Sequence, residues 1–391
     1  MIDLFQRYNP WWQEAETAFK HLIERPAVQL ELQQNIDTRH IIFLTGLRRS
    51  GKSSLLKLTI QHLIGSMGVD PTHILYLSLD DYLLAKKNMP EMVDTFRRLH
   101  KIRYEEKLYL FFDEVTYQEN YDVQLKNLYD NQNVKMFVSA SSAVIFKQRK
   151  AFLTGRCHTV EIMPLNFDEY LNFKRIEIGP RDAHLRNRYF EDYLLGGGLP
   201  EYVLSDNPQY LKELVDDLIY KDIIAQHHIR QPNLIKDYYV LLMERAGKAL
   251  SVNKIGKILN ISADTANRYL NMFADTYLIH LLNRHGKTNT RLLAPKKVYA
   301  PDLGIRCLFT GLRDKGALFE NYVYLRIKHR YPCYVYEQGT EIDFITENQT
   351  LIEAKYGGEL TDKQKRLFNA YPAKTRLVIE GPDDVGFNSV V

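Results

Sequence analysis

The chain has 391 residues, 45% of them hydrophobic, and a formal net charge of +4 at pH 7. That is enough apolar content for two or three separately cored domains, and too little excess charge to argue for nucleic-acid binding by itself. No segment approaches the ~18 uninterrupted apolar residues of a membrane span, and the first residues lack a basic-then-apolar signal pattern, so a soluble, cytoplasmic protein is expected. Cys157, Cys307 and Cys333 have neither disulfide-framework nor metal-ligand spacing, and the 26 tyrosines are scattered without a repeat.

The first third of the chain alternates strand and helix patterns. An apolar run, His40 to Thr45, ends in Gly46, and Phe43 to Leu56 reads FLTGLRRSGKSSLL, a match to G-x-x-x-x-G-K-[ST] between a strand and a helix. Gly46 and Gly51 let the backbone curl its N–H groups toward phosphate oxygens, and the helix beginning near Lys52 adds its partial positive charge. Lys52 is expected to reach the β- and γ-phosphates and Ser53 to place its hydroxyl on Mg²⁺. Arg48, Arg49, Ser50 and Ser54 complete the expected nucleotide-binding loop. Asp80 and Asp81 follow the apolar strand Ile74 to Leu79, where they either cap it or help to place water.

Leu108 to Glu114, LYLFFDE, is an apolar strand ending in two acids, a Walker B pattern. Asp113 is expected to hold Mg²⁺ through water and Glu114 to orient or deprotonate the attacking water, the alternative being two acids that cap a strand. The strand Val134 to Val138 ends in Ser139, Ala140, Ser141 and Ser142, where a hydroxyl, that of Ser141, is expected to sense a γ-phosphate from the adjacent strand. Thr154, Gly155 and Arg156 precede a further strand, Thr159 to Met163. An arginine there can stabilise charge on the γ-phosphate of a neighbouring subunit, which predicts a homo-oligomer with Arg156 acting in trans, or it can be a structural arginine.

This order of motifs resembles the AAA+ and related STAND ATPases. More narrowly it resembles a prokaryotic AAA+ family with a G-x-R-R-x-G-K-[ST] loop (Gly46, Arg48, Arg49, Gly51, Lys52, Ser53), a later G-R pair (Gly155, Arg156) and a G-G-x-P lid motif (Gly197, Gly198, Leu199, Pro200). The resemblance covers nearly the whole chain. It implies an α/β P-loop AAA+ core over 1–164 and a helical lid over 165–235, with ATP or ADP and Mg²⁺ as ligands. In the lid motif the glycines would bring backbone close to the base and the Pro200 ring would face adenine; a plain turn is the alternative. Lids of this kind move, so nucleotide state can be converted into domain rearrangement.

Residues 236–295 read as a helix-turn-helix: Ser251 caps one helix, Asn260, Ile261 and Ser262 form a turn, and Ala263 to Asp275 form the second helix. Tyr277 to Leu282 and then Arg284 to Arg291, RHGKTNTR, resemble a winged version with a basic tip. In a DNA-reading use, Thr265, Asn267 and Arg268 lie near the start of the recognition helix and Lys287 and Arg291 meet phosphates. Packing against another domain is the alternative.

Residues 296–391 begin with an amphipathic helix, Gly316 to Lys328, that carries Glu320. EIDFITENQTLIEAK then reads as a hairpin with strands through Asp343 and Lys355 and a turn at Glu347 to Thr350. Glu353 and Lys355 are two apart and share a face, Asp343 lies on the paired strand, and Ile342, Phe344, Leu351, Ile352 and Ala354 form an apolar framework beneath them. A helix glutamate, an aspartate and E-x-K resemble the PD-(D/E)xK nucleases of the restriction-endonuclease-like fold. The resemblance implies Glu320, Asp343 and Glu353 as ligands of Mg²⁺ or Mn²⁺, Lys355 as the catalytic lysine and Gln364 as an orienting group. The expected function is an ATP-binding and ATP-hydrolysing protein whose nucleotide state controls DNA binding and metal-dependent DNA cleavage. The alternative is a STAND-like nucleotide switch or scaffold with a non-catalytic nuclease-like domain.

Overall fold

A computed structural model describes residues 2–14, 18–141, 153–225 and 227–384. The chain divides into two compact units, Met1–Ile162 and Met163–Val391.

The first unit is built on a parallel sheet of β1 (Ile41–Thr45), β2 (Ile74–Ser78), β3 (Leu108–Asp113), β4 (Val134–Ala140) and β5 (Cys157–Glu161), in the order β2-β3-β4-β1-β5. Strands covered on both faces need unbroken apolar runs, which is what IIFLT and LYLFF supply. One face packs Ile42, Leu44, Tyr76, Phe111 and Phe137 against Leu55, Leu56, Ile60 and Leu63 of the helix Lys52–Gly65. The opposite face packs Phe43, Leu75, Leu77, Leu110 and Phe112 against the helices Met89–His100 and Tyr121–Asn131. β5 begins two residues before its expected start because it is an edge strand with only Val160 buried, so pairing with β1 sets its limits and hydropathy does not.

The free edge of β2 is covered by the N-terminal segment, which protects strand edges from unwanted pairing. The Asn9 side chain accepts from Tyr76 N at 2.7 Å and donates to Tyr76 O at 2.9 Å, and Trp12 Nε1 donates to Ile74 O at 3.0 Å.

In the second unit the helix Ala183–Gly196 ends at Gly197, whose φ of 73° favours glycine. A Cβ on Gly197 would lie 2.3 Å from a carboxylate oxygen of Asp302, and one on Gly198 would lie 2.0 Å from Leu165 O. The G-G-x-P segment thus allows close backbone packing around Asp302, with Pro200 as the first residue of the helix Pro200–Ser205. Asp302 is buried, accepts from Gly198 N at 2.7 Å and caps the helix Leu303–Thr310 by accepting from Ile305 N at 3.0 Å.

The helices Val252–Leu259 and Ala263–Asp275 are capped by Ser251 and Ser262, with Asn260 left-handed in the turn between them. β6 (His280–Leu282) pairs antiparallel with β7 (Lys297–Tyr299). The expected basic tip, Arg284 to Arg291, lies in the connection between β6 and β7: Asn283 to His285 pair with Tyr334, His285 N to Tyr334 O at 2.7 Å and Tyr334 N to Asn283 O at 3.0 Å, and the exposed residues that follow lead into a short helix, Thr288–Leu293.

The remainder is a sheet of β8 (Cys333–Glu337), β9 (Thr340–Ile345), β10 (Thr350–Ala354) and β11 (Thr375–Ile379), in the order β11-β10-β9-β8. The first three are antiparallel, and β11 runs parallel to β10 after the crossover helix Asp362–Ala370.

Burial pushes the Asp302 carboxyl up to about 6, with the Gly198 and Ile305 N–H groups pulling partly back. An unfolded aspartate releases its proton near pH 4, so between about pH 4 and pH 6 the native state holds a proton that the unfolded state has lost. Stability should therefore fall by about 3 kcal/mol as pH rises through that window. Asp302→Asn should remove this slope, read as the wild type minus variant difference in urea unfolding at several pH values; parallel curves would refute it.

Candidate functional site

The glycine loop has a geometric reason at each end. Gly46 has φ 133°, and a Cβ there would lie 2.4 Å from Ile162 O. Gly51, with φ 97°, precedes the helix Lys52–Gly65. Lys52 is buried, and its Nζ donates to Gly46 O at 3.1 Å and Leu47 O at 3.0 Å, which keeps the ammonium over the loop. Arg25, which the sequence did not single out, donates to Ser50 O at 3.1 Å and anchors the loop from the N-terminal side. Thr45 Oγ1 and Ser50 Oγ are buried without a hydrogen-bond partner in the structure. Arg48 donates to Tyr117 OH at 3.3 Å, while Arg49, Ser53 and Ser54 are exposed.

The strand order puts β4 between β1 and β3, so Ser139 and Ser141 at the end of β4 meet Asp113 and Glu114 at the end of β3. Ser139 Oγ donates to Asp113 Oδ1 and accepts from Glu114 N at 2.8 Å; Tyr76 OH donates to Asp113 Oδ2 at 2.7 Å; Ser141 Oγ donates to Glu114 Oε1. The structure therefore brings Lys52, Ser53, Asp113, Glu114 and Ser141 to one end of the sheet. It adds Tyr76 and Ser139, whose partners depend on strand register and not on any motif. Ser142 lies outside the described residues. Asp81 accepts from Tyr8 OH at 2.8 Å and Leu83 N at 2.7 Å, and Asp80 accepts from Ser78 Oγ at 2.6 Å, so both serve the turn after β2. The exposed Ser53 hydroxyl and the Asp113 carboxylate are hard oxygen donors, a set that fits Mg²⁺.

Arg156 lies at the other end of the same sheet. Its carbonyl accepts from Ile41 N at 2.8 Å, level with the first residue of β1. Its guanidinium bonds Asp130 Oδ1 at 3.1 Å and Oδ2 at 3.4 Å, and the Lys126 and Arg156 partners hold the Asp130 carboxyl below its usual range. Within its own chain Arg156 is a sheet length from the phosphate loop.

In the second unit the four C-terminal residues expected from sequence do converge, with a fifth among them. Glu353 Oε2 accepts from Asp343 N at 3.0 Å and Asp343 Oδ2 accepts from Ala354 N at 2.9 Å, so each carboxylate locks the other's strand. Glu353 Oε1 accepts from Lys355 Nζ at 2.9 Å and from Gln364 Nε2 at 2.7 Å. Lys297 of β7, with 0% of its side chain exposed, places Nζ 2.6 Å from Glu320 Oε1, 2.8 Å from Glu341 Oε1 and 4.0 Å from Asp343 Oδ1. Tyr299 OH donates to the same Glu320 oxygen at 2.6 Å. Burial and the neighbouring carboxylates push Asp343 up. Burial does the same to Glu353 against the pull of Lys355. Burial alone would lower Lys297, but Glu320, Asp343 and Glu341 together raise it.

Among the described residues no group of three or more His, Cys, Asp or Glu side chains is arranged to hold a metal ion. The expected ligands Glu320, Asp343 and Glu353 are answered here by two lysines and backbone N–H groups. Lys297 lay outside the motif because it reaches the centre from a separate strand pair.

Of the expected DNA contacts, Arg268 is exposed on the helix Ala263–Asp275, with its guanidinium 5.3 Å from the Tyr269 ring centroid. Lys287, itself exposed, immediately precedes the short helix that carries exposed Arg291.

Removing one partner of a buried ion pair leaves the others uncompensated, at a cost of about 3–5 kcal/mol. Lys297→Met should destabilise the chain by roughly that amount in urea unfolding at neutral pH, and adding Glu320→Gln should recover part of the loss. Additive losses in the double-mutant cycle would mean that the pair does not interact.

Residues 38–171 match a family model described as an AAA domain, and residues 187–316 match a model described as a domain of unknown function. An uncharacterized protein of Methanocaldococcus jannaschii is 27% identical over 362 residues, covering 87% of this chain and 80% of that one. An uncharacterized protein of Haemophilus influenzae is 26% identical over 349 residues, covering 83% and 84%. Among solved structures, C. elegans PCH-2 overlaps with a TM-score of 0.35 at 14% identity, covering 66% of this chain and 72% of that one. AMPPCP-bound DnaA from Aquifex aeolicus overlaps with a TM-score of 0.30 at 16% identity, covering 68% and 91%. Overlaps this loose define neither fold nor function. The family match, the parallel sheet and the glycine loop together make residues 38–171 an AAA-type P-loop ATPase domain.

Proposed function

We propose that the chain binds and hydrolyses ATP with Mg²⁺ at the loop Gly46–Ser53, and that nucleotide state controls DNA binding by the second unit. The observation that carries the first part is the set of hydroxyls that fixes Asp113 and Glu114 at the Lys52 end of the sheet. Lys52 and the loop N–H groups hold the phosphates, and Ser53 and Asp113 hold Mg²⁺, which neutralises phosphate charge when bound. Ser141 occupies one Glu114 oxygen and fixes its plane, which leaves the other free to orient or take a proton from water. An arginine finger at Arg156 would act only across a subunit boundary and after its Asp130 pair opens.

Lys52→Ala should abolish nucleotide binding. Glu114→Gln should keep nucleotide affinity and lose about 100-fold in turnover, the usual worth of a positioned base. Unchanged turnover in Glu114→Gln would remove Glu114 from the reaction.

The DNA part rests on Arg268, which lines a cavity of about 550 Å³ with His227, His228, Arg230 and Gln231, a lining free of acidic side chains. Lys287 and Arg291 supply further exposed positive charge. For the C-terminal carboxylates two readings differ in outcome. Metal-dependent cleavage is supported by the convergence of Glu320, Asp343, Glu353 and Lys355. A non-catalytic, binding-only unit is favoured by Lys297, whose ammonium occupies a Glu320 oxygen and lies 4.0 Å from Asp343 Oδ1, the place a metal ion would take between them.

Plasmid and single-stranded DNA, with Mg²⁺ or Mn²⁺ and with or without ATP, separate the two. Metal-dependent cleavage lost in Asp343→Ala supports a nuclease. Retained DNA binding without cleavage, alongside ATP turnover, supports the binding-only unit.

A further inference from the structure

We propose that Tyr76 is a positioning residue for Asp113, and that the segment Tyr8 to Trp12 holds it in place; the role rests on the reading of Asp113 as the Mg²⁺ carboxylate. Tyr76 lies mid-strand on β2, the one aromatic residue in a buried run of Ile74, Leu75 and Leu77. Its ring runs along the face of the sheet that covers the Lys52–Gly65 helix, and its hydroxyl ends 2.7 Å from Asp113 Oδ2. Ser139 donates to the other oxygen from β4 on the opposite side. Two donors from the two flanking strands fix the rotation of the carboxylate plane, and each oxygen keeps a second lone pair for a metal-bound water.

Tyr76 is held in turn by residues that no motif marks. β2 is an edge strand, and the buried Asn9 amide supplies both hydrogen bonds that a neighbouring strand would make to Tyr76, at 2.7 Å and 2.9 Å. Trp11 packs edge-on against the Tyr76 ring at 6.3 Å, and Tyr8 tilts over it at 6.3 Å. From the phosphate-loop helix, Lys57 Nζ lies 5.6 Å from the ring centroid. A continuous set of contacts therefore runs from the N-terminal segment through Tyr76 to Asp113.

The test uses the full chain with a nonhydrolysable ATP analogue, with Mn²⁺ affinity read by electron paramagnetic resonance and ATP turnover read against Mg²⁺ concentration. Tyr76→Phe keeps the ring and removes only the donor. It should weaken Mn²⁺ binding in the nucleotide complex, and raise the Mg²⁺ needed for half-maximal turnover, by about tenfold, as for other groups that orient metal-holding side chains. Affinity for metal-free nucleotide should stay within about twofold of wild type. Asn9→Ala should move the same quantities in the same direction by less.

Unchanged Mn²⁺ affinity in Tyr76→Phe would overturn the proposal. So would an equal loss of metal-free nucleotide affinity accompanied by a lower Tm, since that marks a purely structural role. A wild-type chain that fails to turn ATP over but shows the Mn²⁺ shift would refute hydrolysis and leave the Tyr76 role standing.

Discussion

A carboxylate taken out of water must be answered by donors or by a cation, because an unpaired buried charge costs more than a domain's stability can carry. The two centres are two answers to that demand. In the first unit, Asp113 and Glu114 are met by neutral hydroxyls from Tyr76, Ser139 and Ser141. Hydroxyls orient a carboxylate without cancelling its charge, so the end of the sheet keeps its attraction for a cation. In the second unit, Glu320, Asp343 and Glu353 are met by Lys297, Lys355 and hairpin N–H groups. Two ammonium groups offset part of the charge of Glu320, Glu341, Asp343 and Glu353, and they occupy carboxylate oxygens that a divalent ion would need.

Asp302 shows a third answer. It has no cation and is met only by backbone N–H groups at the Gly198 turn and a helix start, which leaves its carboxyl easy to protonate. The glycines beside it have steric reasons of their own: side chains at 197 and 198 would collide with Asp302 and Leu165. The G-G-x-P segment is thus accounted for by packing within the second unit, independently of any contact with adenine.

The parts legible in sequence were those carried by contiguous residues. The loop Gly46–Ser53, the pair Asp113 and Glu114, and the spacing of Glu353 and Lys355 each need only local backbone geometry, which period and glycine placement report. Asp343 was reachable because a short hairpin brings it opposite Glu353. Arg284 to Arg291 read only as a basic, polar run; that its start pairs with Tyr334 and that it contains a short helix between β6 and β7 depended on tertiary pairing. Arg156 read either as a trans-acting finger or as a structural arginine, and only parallel pairing with β1 shows which end of the sheet it occupies.

By itself the sequence determined the phosphate loop, the acids that follow the Walker strand, and a C-terminal E-x-K hairpin, because hydrophobic period and turn chemistry act over a few residues. Only the tertiary structure decided that Tyr76 and Ser139 hold Asp113, that Asn9 replaces a missing strand beside Tyr76, and that Lys297 reaches Glu320 and Asp343. Each of those pairings spans tens of residues and is chosen by which strands become neighbours. Sheet order comes from burying the whole set of apolar faces at once, and no local window of sequence contains it.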